Sequence, residues 1–155
     1  SVNSDECISF VKDINPDIVV VNGTRILSKK LLDSVNAKFI NMHLGITPKY
    51  RGVHGAYWAY YNGDDINAGV TVHLVDPGID TGGILYQDRI DKTDIDNYFT
   101  YPYLQVAKGI PLEVKAIKDI ISGNLKTIEN DLPSKLYSHP TFFEYVLKYI
   151  VKKVK

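Results

Sequence analysis

The 155-residue sequence has one cysteine, Cys7, so a framework of disulfide bonds within the chain is excluded. It has no apolar run near the ~18 residues of a membrane-spanning helix, and no signal-peptide pattern at its N-terminus. It also has no charge surplus, because 18 Lys and Arg residues balance 18 Asp and Glu residues. These absences predict a cytoplasmic protein without a membrane segment, and they give no electrostatic case for nucleic acid as a partner.

Metal-ligand and phosphate-binding patterns are missing as well. His54 and His73 have no Cys or acidic partner at the spacing of a zinc site, so we predict no metal. No stretch reads Gly-x-Gly or Gly-x-x-x-x-Gly-Lys-Ser/Thr. Cys7 lies on an apolar helix face, and we interpret it as a core residue and not as a nucleophile.

What the chain does have is an alternation of strand-like and helix-like segments. Its 45% apolar and 23% charged residues suit one globular domain with a core of its own. The alternation, with two late strands in succession, predicts an α/β fold with a mixed, mostly parallel sheet flanked by helices. The expected helices cover residues 5–14, 28–35, 54–61 and 103–121, and the expected strands cover residues 18–21, 38–42, 69–75 and 84–90. Gly109 and Pro111 are expected to break the last helix, and Gly123 to end it.

Asn41 and His43 stand two residues apart at the end of the 38–42 strand. Side chains at positions i and i+2 of a strand point to the same face, so an amide and an imidazole would leave the sheet side by side. Together they could donate hydrogen bonds to one developing oxyanion. Asp80, in a glycine-rich turn between two strands, is the candidate carboxylate that would raise the pKa of His43 and orient its ring.

Each of these residues also has a purely structural interpretation. His43 could be a hydrogen-bonded core histidine, Asn41 a turn residue at a strand end, and Asp80 a cap for the turn that begins at Thr81. The ordered combination of all three favours a catalytic site. For Arg51 we favour the bracing of a turn over the binding of an anionic substrate.

Two segments carry a resemblance to a known family. Residues 41–52 read Asn-Met-His-Leu-Gly-Ile-Thr-Pro-Lys-Tyr-Arg-Gly, and residues 75–83 read Val-Asp-Pro-Gly-Ile-Asp-Thr-Gly-Gly. Together they resemble the pattern Asn-x-His, Pro-x-Tyr-Arg-Gly and Asp-x-Gly of the folate-dependent formyltransferase family. The resemblance implies a Rossmann-like catalytic domain in which Asn41, His43 and Asp80 are catalytic. It also implies 10-formyltetrahydrofolate as the co-substrate, without a metal.

The resemblance further implies a donor pocket and a class of acceptor. The residues implied to line the donor pocket are Arg25, Ile26, Leu27, Val75, Asp76, Gly78 and Ile79. The implied reaction moves a formyl group to the amine of a small-molecule acceptor. A nucleotide-linked amino sugar ranks first, because Gly45 stands where many members have serine. Glycinamide ribonucleotide ranks second and methionyl-tRNA third. The alternatives are a formyltetrahydrofolate hydrolase and an inactive folate-binding fragment.

Against the family pattern, residues 1–125 form a formyltransferase-like catalytic core that is truncated at its N-terminus. Residues 126–155 form a C-terminal extension, in which a capping box at Thr141 and Glu144 predicts a helix at about 141–154. Missing N-terminal strands would leave the 18–21 strand as a bare apolar edge, which invites pairing with another chain. We therefore expect self-association through that edge, or a partner segment lost from the N-terminus.

Overall fold

A mixed four-stranded sheet organises the structure, a computed structural model that describes residues 1–152. The strands are β1 (Ile18–Val21), β2 (Lys38–His43), β3 (Arg51–Gly52), β4 (Gly69–Leu74), β5 (Ile84–Arg89) and β6 (Leu136–Tyr137). The helices are α1 (Asp5–Ile14), α2 (Lys29–Leu32), α3 (Gly55–Tyr61), α4 (Tyr101–Ile121) and α5 (Phe142–Lys152), with a 3₁₀ turn at Asp65–Asn67. The main sheet has the order β1-β2-β4-β5, and β3 pairs with β6 separately. The predicted α/β class, with a mixed sheet flanked by helices, is confirmed.

Strand direction in the main sheet follows from the connections between strands. β1 and β2 are parallel and are joined through α2, whereas the β2–β4 and β4–β5 pairs are antiparallel. The loop between β4 and β5 is too short for the crossover that parallel neighbours need. Two of the three pairings are therefore antiparallel, where the sequence led us to expect a mostly parallel sheet. The register places Asn41 opposite His73, which fixes two polar side chains near one end of the sheet.

Helix α1 has the predicted extent, Asp5–Ile14. Ser4 caps the helix by accepting a hydrogen bond from the Cys7 amide at 3.3 Å, and Asn15 ends it in a left-handed conformation. The helix turns Ile8 into the core, while Phe10 is 63% exposed. Cys7 is a free, half-buried thiol, so its interpretation as a core residue is corrected to a position at the rim of the core.

Helix α4 is continuous through Gly109 and Pro111, so the expected break is wrong. At Gly109 the helix comes so close to the sheet that an added Cβ would lie 2.5 Å from Met42 Sδ and 3.0 Å from Val70 Cγ2. The glycine serves close packing, and packing against the sheet outweighs the hydrogen bond lost at Pro111. Gly123 has φ +71° and follows the end of the helix, as predicted.

Replacing Gly109 with leucine is expected to destabilise the fold, because the larger side chain must separate α4 from the sheet. Overpacking of this kind costs about 1–3 kcal/mol, whereas the better helix former regains only about 1 kcal/mol. Ala107→Leu is the matched control, since Ala107 is exposed on the same helix. Urea unfolding measures both variants, and equal free energies of unfolding would contradict the close packing at Gly109.

Residues 126–152 follow α4 and contact the strands β5 and β3. Ile128 forms a bridge with Ile84, and β6 runs parallel to β3. Thr141 and Glu144 form reciprocal hydrogen bonds at the start of α5, which confirms the predicted capping box. Residues 153 and 154 of the predicted helix lie outside the described residues. The domain boundary at residue 125 and a partner at the edge of β1 remain predictions.

Within residues 1–152, no helix combines the length and the apolar character that crossing a membrane requires.

Candidate active site

The carboxylate of Asp80 is the point at which the candidate catalytic residues meet. Asp80 lies in the loop between β4 and β5 with φ +52°, a left-handed conformation that Asp and Asn adopt more readily than most residues. Its Oδ2 accepts a hydrogen bond from the Gly52 amide at 2.8 Å and lies 3.3 Å from His43 Nδ1. Its Oδ1 lies 3.6 Å from His73 Nε2. Asp80 and His43 are thus neighbours, and their catalytic roles remain predictions.

Asn41 and His73 lie side by side on neighbouring strands, with Asn41 Nδ2 3.2 Å from His73 Nε2. His73 Nδ1 lies 2.6 Å from the Leu74 carbonyl oxygen, which assigns the ring proton to Nδ1 and leaves Nε2 to accept from the Asn41 amide. His73 was not among the site residues predicted from the sequence, where its only possible role was that of a metal ligand. A signal was available in the sequence of β4. Thr71 and His73 alternate with valines along the strand, so their side chains share one polar face of it.

His43 is buried behind Asp80 and does not line the cavity described below. Its Nε2 donates to the Tyr50 carbonyl oxygen at 2.6 Å. Burial lowers the pKa of His43, and the charge of Asp80 and the Tyr50 carbonyl oppose this shift only in part. The expectation that Asp80 raises the pKa of His43 above its ordinary value is therefore wrong, because desolvation of the ring outweighs the neighbouring charge. The resting imidazole is neutral at neutral pH, with Nδ1 facing Asp80.

The carboxyl group of Asp80 is ionised at neutral pH. Burial raises its pKa, but His73 and His43, which attract the carboxylate when they are protonated, and the Gly52 amide outweigh burial and hold the pKa below the usual value. Two proton acceptors, the Asp80 carboxylate and His43 Nδ1, therefore face each other across 3.3 Å. A proton delivered to this gap would be shared by both, so the pair can act as a base.

A cavity of about 590 Å³ opens beside Asp80, with Asn41 and His73 also in its wall. All seven residues that the resemblance implied for a donor pocket line this one cavity, namely Arg25, Ile26, Leu27, Val75, Asp76, Gly78 and Ile79. The C-terminal segment adds residues that the sequence analysis did not include, namely Leu136, Tyr137, Ser138 and His139. The polar residues of the site and the implied donor-pocket residues thus share one cavity.

Residues 50–52 contact both His43 and Asp80 through their backbone, and we call them the bridge segment. The Tyr50 carbonyl accepts from His43 Nε2, and the Gly52 amide donates to Asp80 Oδ2. The Tyr50 ring is fully buried, and its hydroxyl donates to Asp64 Oδ2 at 2.7 Å. The backbone of the bridge segment therefore contacts both members of the pair.

Two further contacts fix the bridge segment. Arg51 Nη1 donates to the Ile79 carbonyl oxygen at 3.0 Å and so braces the loop that carries the carboxylate, as its structural interpretation predicted. Gly45 packs against the segment so closely that a Cβ would lie 2.2 Å from the Tyr50 carbonyl oxygen and 2.6 Å from His43 Nε2. Glycine at this position is thus explained by packing within the chain.

The lowered pKa of His43 predicts a stability that falls as the pH drops below the ordinary histidine range. The unfolded chain takes up a proton there that the folded chain does not, so acidification favours unfolding. His54 acts in the same direction, because burial and the charge of His139 lower its pKa as well. Urea unfolding from about pH 7.5 to about pH 5.5 should show this loss. His43→Gln should reduce the slope, and an unchanged slope in that variant would contradict the assignment.

The fold and the site together define a class of protein, an α/β protein with a buried His–Asp pair beside a cavity. The family model described as "Formyl transferase" matches residues 1–100. Methionyl-tRNA formyltransferases from Clostridium acetobutylicum and Thermodesulfovibrio yellowstonii are each 36% identical, over 88% and 79% of this chain. The chain belongs to the formyl transferase family. It spans 44% and 40% of the length of these two relatives.

Solved structures share the fold. A sugar N-formyltransferase from Shewanella sp. has a TM-score of 0.73 at 22% identity. The matched region covers 88% of this chain and 54% of that chain. An N-formyltransferase from Helicobacter canadensis, solved with folinic acid and dTDP-3-aminofucose, has a TM-score of 0.64 at 27% identity. The match covers 76% of this chain and 43% of that chain. A phosphoribosylglycinamide formyltransferase from Streptococcus pneumoniae has a TM-score of 0.65 at 25% identity, and the match covers 75% of this chain and 64% of that chain. The formyltransferase fold expected from the motifs is therefore confirmed.

In the part of the chain that the structure describes, no group of three or more His, Cys, Asp or Glu side chains is arranged to hold a metal ion.

Proposed function

We propose that this chain carries the donor-binding and catalytic part of an N-formyltransferase that moves a formyl group from 10-formyltetrahydrofolate to an amine. The observation that carries the proposal is that Asp80, Asn41 and His73 meet at one cavity, with His43 buried against Asp80 behind it. A base, an amide donor and a binding pocket are the three components that acyl transfer to an amine requires. Membership of the formyl transferase family supports the same reaction class.

The cavity has the chemistry of a pocket for a folate. Its volume of about 590 Å³ lies within the usual range of small-molecule sites. Ile26, Leu27 and Ile79 supply apolar surface for a flat ring system, and Arg25 and Asp76 supply polar groups. The Helicobacter canadensis relative, which was solved with folinic acid, supports a folate as the donor.

The proposed reaction begins when the acceptor amine attacks the formyl carbon, which forms a new C–N bond and an oxyanion. Asn41 Nδ2 carries two hydrogens, of which one reaches His73 and the other is available to the oxyanion. The proton lost by the amine passes to Asp80 and is shared with His43 Nδ1. The bond from the formyl carbon to N10 of the folate then breaks, and N10 takes the proton to give tetrahydrofolate.

This scheme changes the role that the sequence suggested for His43. Both ring nitrogens of His43 face oxygen atoms of the protein, and the ring does not line the cavity. His43 therefore acts through Asp80, as part of the base, and does not donate directly to the oxyanion. Asn41 remains the proposed oxyanion donor, since it lines the cavity.

For the acceptor we propose the amine of a nucleotide-linked amino sugar, followed by glycinamide ribonucleotide and then methionyl-tRNA. The Helicobacter canadensis structure, solved with a nucleotide-linked amino sugar, supports the first candidate. The relatives from Clostridium acetobutylicum and Thermodesulfovibrio yellowstonii are named methionyl-tRNA formyltransferases, which supports methionyl-tRNA, the third candidate. Gly45 no longer favours the first, because its lack of a side chain has a packing explanation.

The test combines titration calorimetry with turnover. A stable analogue of 10-formyltetrahydrofolate is titrated into the chain and into Asp80→Ala, and we expect binding that weakens in the variant. Turnover is then measured with each of the three acceptors and with none. An N-formylated product supports the proposal. Formate release without an acceptor would indicate a hydrolase, and binding without turnover would indicate a folate-binding fragment. No binding at millimolar analogue would overturn the donor assignment.

A further inference from the structure

Tyr137 lies in the C-terminal segment, outside the residues 1–100 that the family model matches. Its ring stacks on two aromatic rings of the core, with centroid distances of 5.4 Å to Tyr50 and 5.1 Å to Trp58 and interplanar angles of 22° and 28°. Its hydroxyl accepts a hydrogen bond from Asn62 Nδ2 at 3.0 Å. Stacked aromatic contacts of this kind add stabilisation beyond the buried area. Tyr137 is thus the aromatic anchor of the segment that contains β6.

The backbone around Tyr137 holds the bridge segment from outside. The Arg51 amide donates to the Lys135 carbonyl at 3.1 Å, and the Val53 amide donates to the Tyr137 carbonyl at 3.2 Å. Gly52 has φ +93°, and a Cβ on it would lie 2.2 Å from the same Tyr137 carbonyl oxygen. The bridge segment is therefore pressed directly against β6.

The segment that contains β6 packs on the two residues of the bridge segment that bind His43 and Asp80. The Tyr50 ring stacks on Tyr137, and the Tyr50 carbonyl accepts a hydrogen bond from His43 Nε2. Gly52 packs so closely on the Tyr137 carbonyl that it has no room for a Cβ, and its amide donates to Asp80 Oδ2. No other part of residues 1–152 makes both contacts with the bridge segment, a stacked ring on Tyr50 and strand pairing with β3.

We propose that Tyr137 is a positioning residue, which sets the distance between His43 Nδ1 and the Asp80 carboxylate by seating β6 on the bridge segment. The C-terminal segment is then a working part of the catalytic site, although it belongs to the predicted extension after residue 125. The inference rests on the proposed function for its effect on turnover. Its effect on the state of His43 does not depend on turnover.

The experiment compares three substitutions at Tyr137 with one control. Tyr137→Ala removes the ring, Tyr137→Leu keeps apolar volume without stacking, and Tyr137→Phe loses only the contact with Asn62. Tyr86→Ala is the matched control, because Tyr86 is also a half-buried tyrosine but lies on β5, contacts α4 and does not line the cavity. Each variant is assayed for kcat, for KM of the donor and for the pH dependence of kcat.

We expect Tyr137→Ala to lower kcat by about 10²-fold, since small misplacement of reacting groups has effects of this size. Tyr137→Leu should show a smaller loss with a pH profile shifted in the same direction, and it keeps the test valid if the alanine variant fails to fold. Tyr137→Phe and Tyr86→Ala should keep the wild-type pH profile. Equal kcat and pH profiles in Tyr137→Leu and Tyr86→Ala would overturn the proposal.

A second readout separates this inference from the proposed function. The ring protons of His43 are titrated by NMR, with the resonances assigned through His43→Gln. Loosening of the bridge segment in Tyr137→Leu should admit water to the ring and move the pKa of His43 toward the ordinary histidine value. This shift would support the inference even if the wild-type chain turned over no acceptor. An unchanged titration in Tyr137→Leu would overturn it even in an active enzyme.

Discussion

Replacing Asp80 with asparagine is expected to lower kcat by about 10³-fold while the fold and the donor affinity are kept. Asparagine has the same shape and tolerates the left-handed backbone found here, with φ +52°. Its carbonyl oxygen can still accept from the Gly52 amide, as Oδ2 of Asp80 does at 2.8 Å. It cannot take a proton from the attacking amine, so only the base is lost.

Steady-state kinetics with the acceptor identified by the turnover assay would measure this loss. Asp88→Asn is the control, because Asp88 carries a carboxylate on β5 that pairs with Lys108 at 3.6 Å and does not line the cavity. We expect the control to retain wild-type kcat. A loss of less than about tenfold in Asp80→Asn would remove the carboxylate from the mechanism. A loss with unchanged KM for the donor would show that the negative charge of Asp80 serves the chemical step, while the shape of the side chain, which Asp80→Ala removes, serves donor binding.

The site residues that the sequence could predict are those whose positions follow from local geometry. Asn41 and His43 project from one strand end because of the two-residue period of a strand. Asp80 follows in a turn between adjacent strands, and the whole implied donor pocket lies on neighbouring loops. Short-range order along the chain was sufficient for Asn41, His43 and Asp80, whereas the donor-pocket residues were implied by the resemblance to the formyltransferase family.

The parts that could not be predicted depend on contacts between distant segments. His73 joins the site through its register opposite Asn41, and Tyr137 joins it through pairing of β6 with β3. The pKa of His43 falls because the folded chain buries its ring, which no local pattern indicates. Each of these features is decided by which segments pack together, and a single sequence does not specify that.

The same reasoning explains the error at α4. Gly109 and Pro111 are helix breakers when the helix is considered alone, and the prediction followed their intrinsic preferences. In the folded chain Gly109 faces Met42 and Val70, where helix and sheet leave too little room for a Cβ atom. Tertiary packing selected glycine for its small size, so the residue that predicted a break serves a continuous helix.

Removing the amide of Asn41 is expected to lower kcat by about 10²–10³-fold, the usual effect of losing one preorganised donor to an oxyanion. Asn41→Ala should leave donor binding nearly unchanged, because the oxyanion develops only during the reaction. The measurement is kcat alongside the dissociation constant of the donor analogue. A loss of less than about tenfold would show that the oxyanion is stabilised elsewhere.

A double-mutant cycle with His73 distinguishes two ways in which this pair can work. Asn41 Nδ2 lies 3.2 Å from His73 Nε2, so the ring can fix the direction in which the second amide hydrogen points. If His73 acts only by this orientation, the double variant should lose no more activity than Asn41→Ala alone. If His73 itself contacts the reacting groups, the two losses should multiply. We expect the first result, because His73 Nε2 already accepts from the amide and Nδ1 is committed to the Leu74 carbonyl.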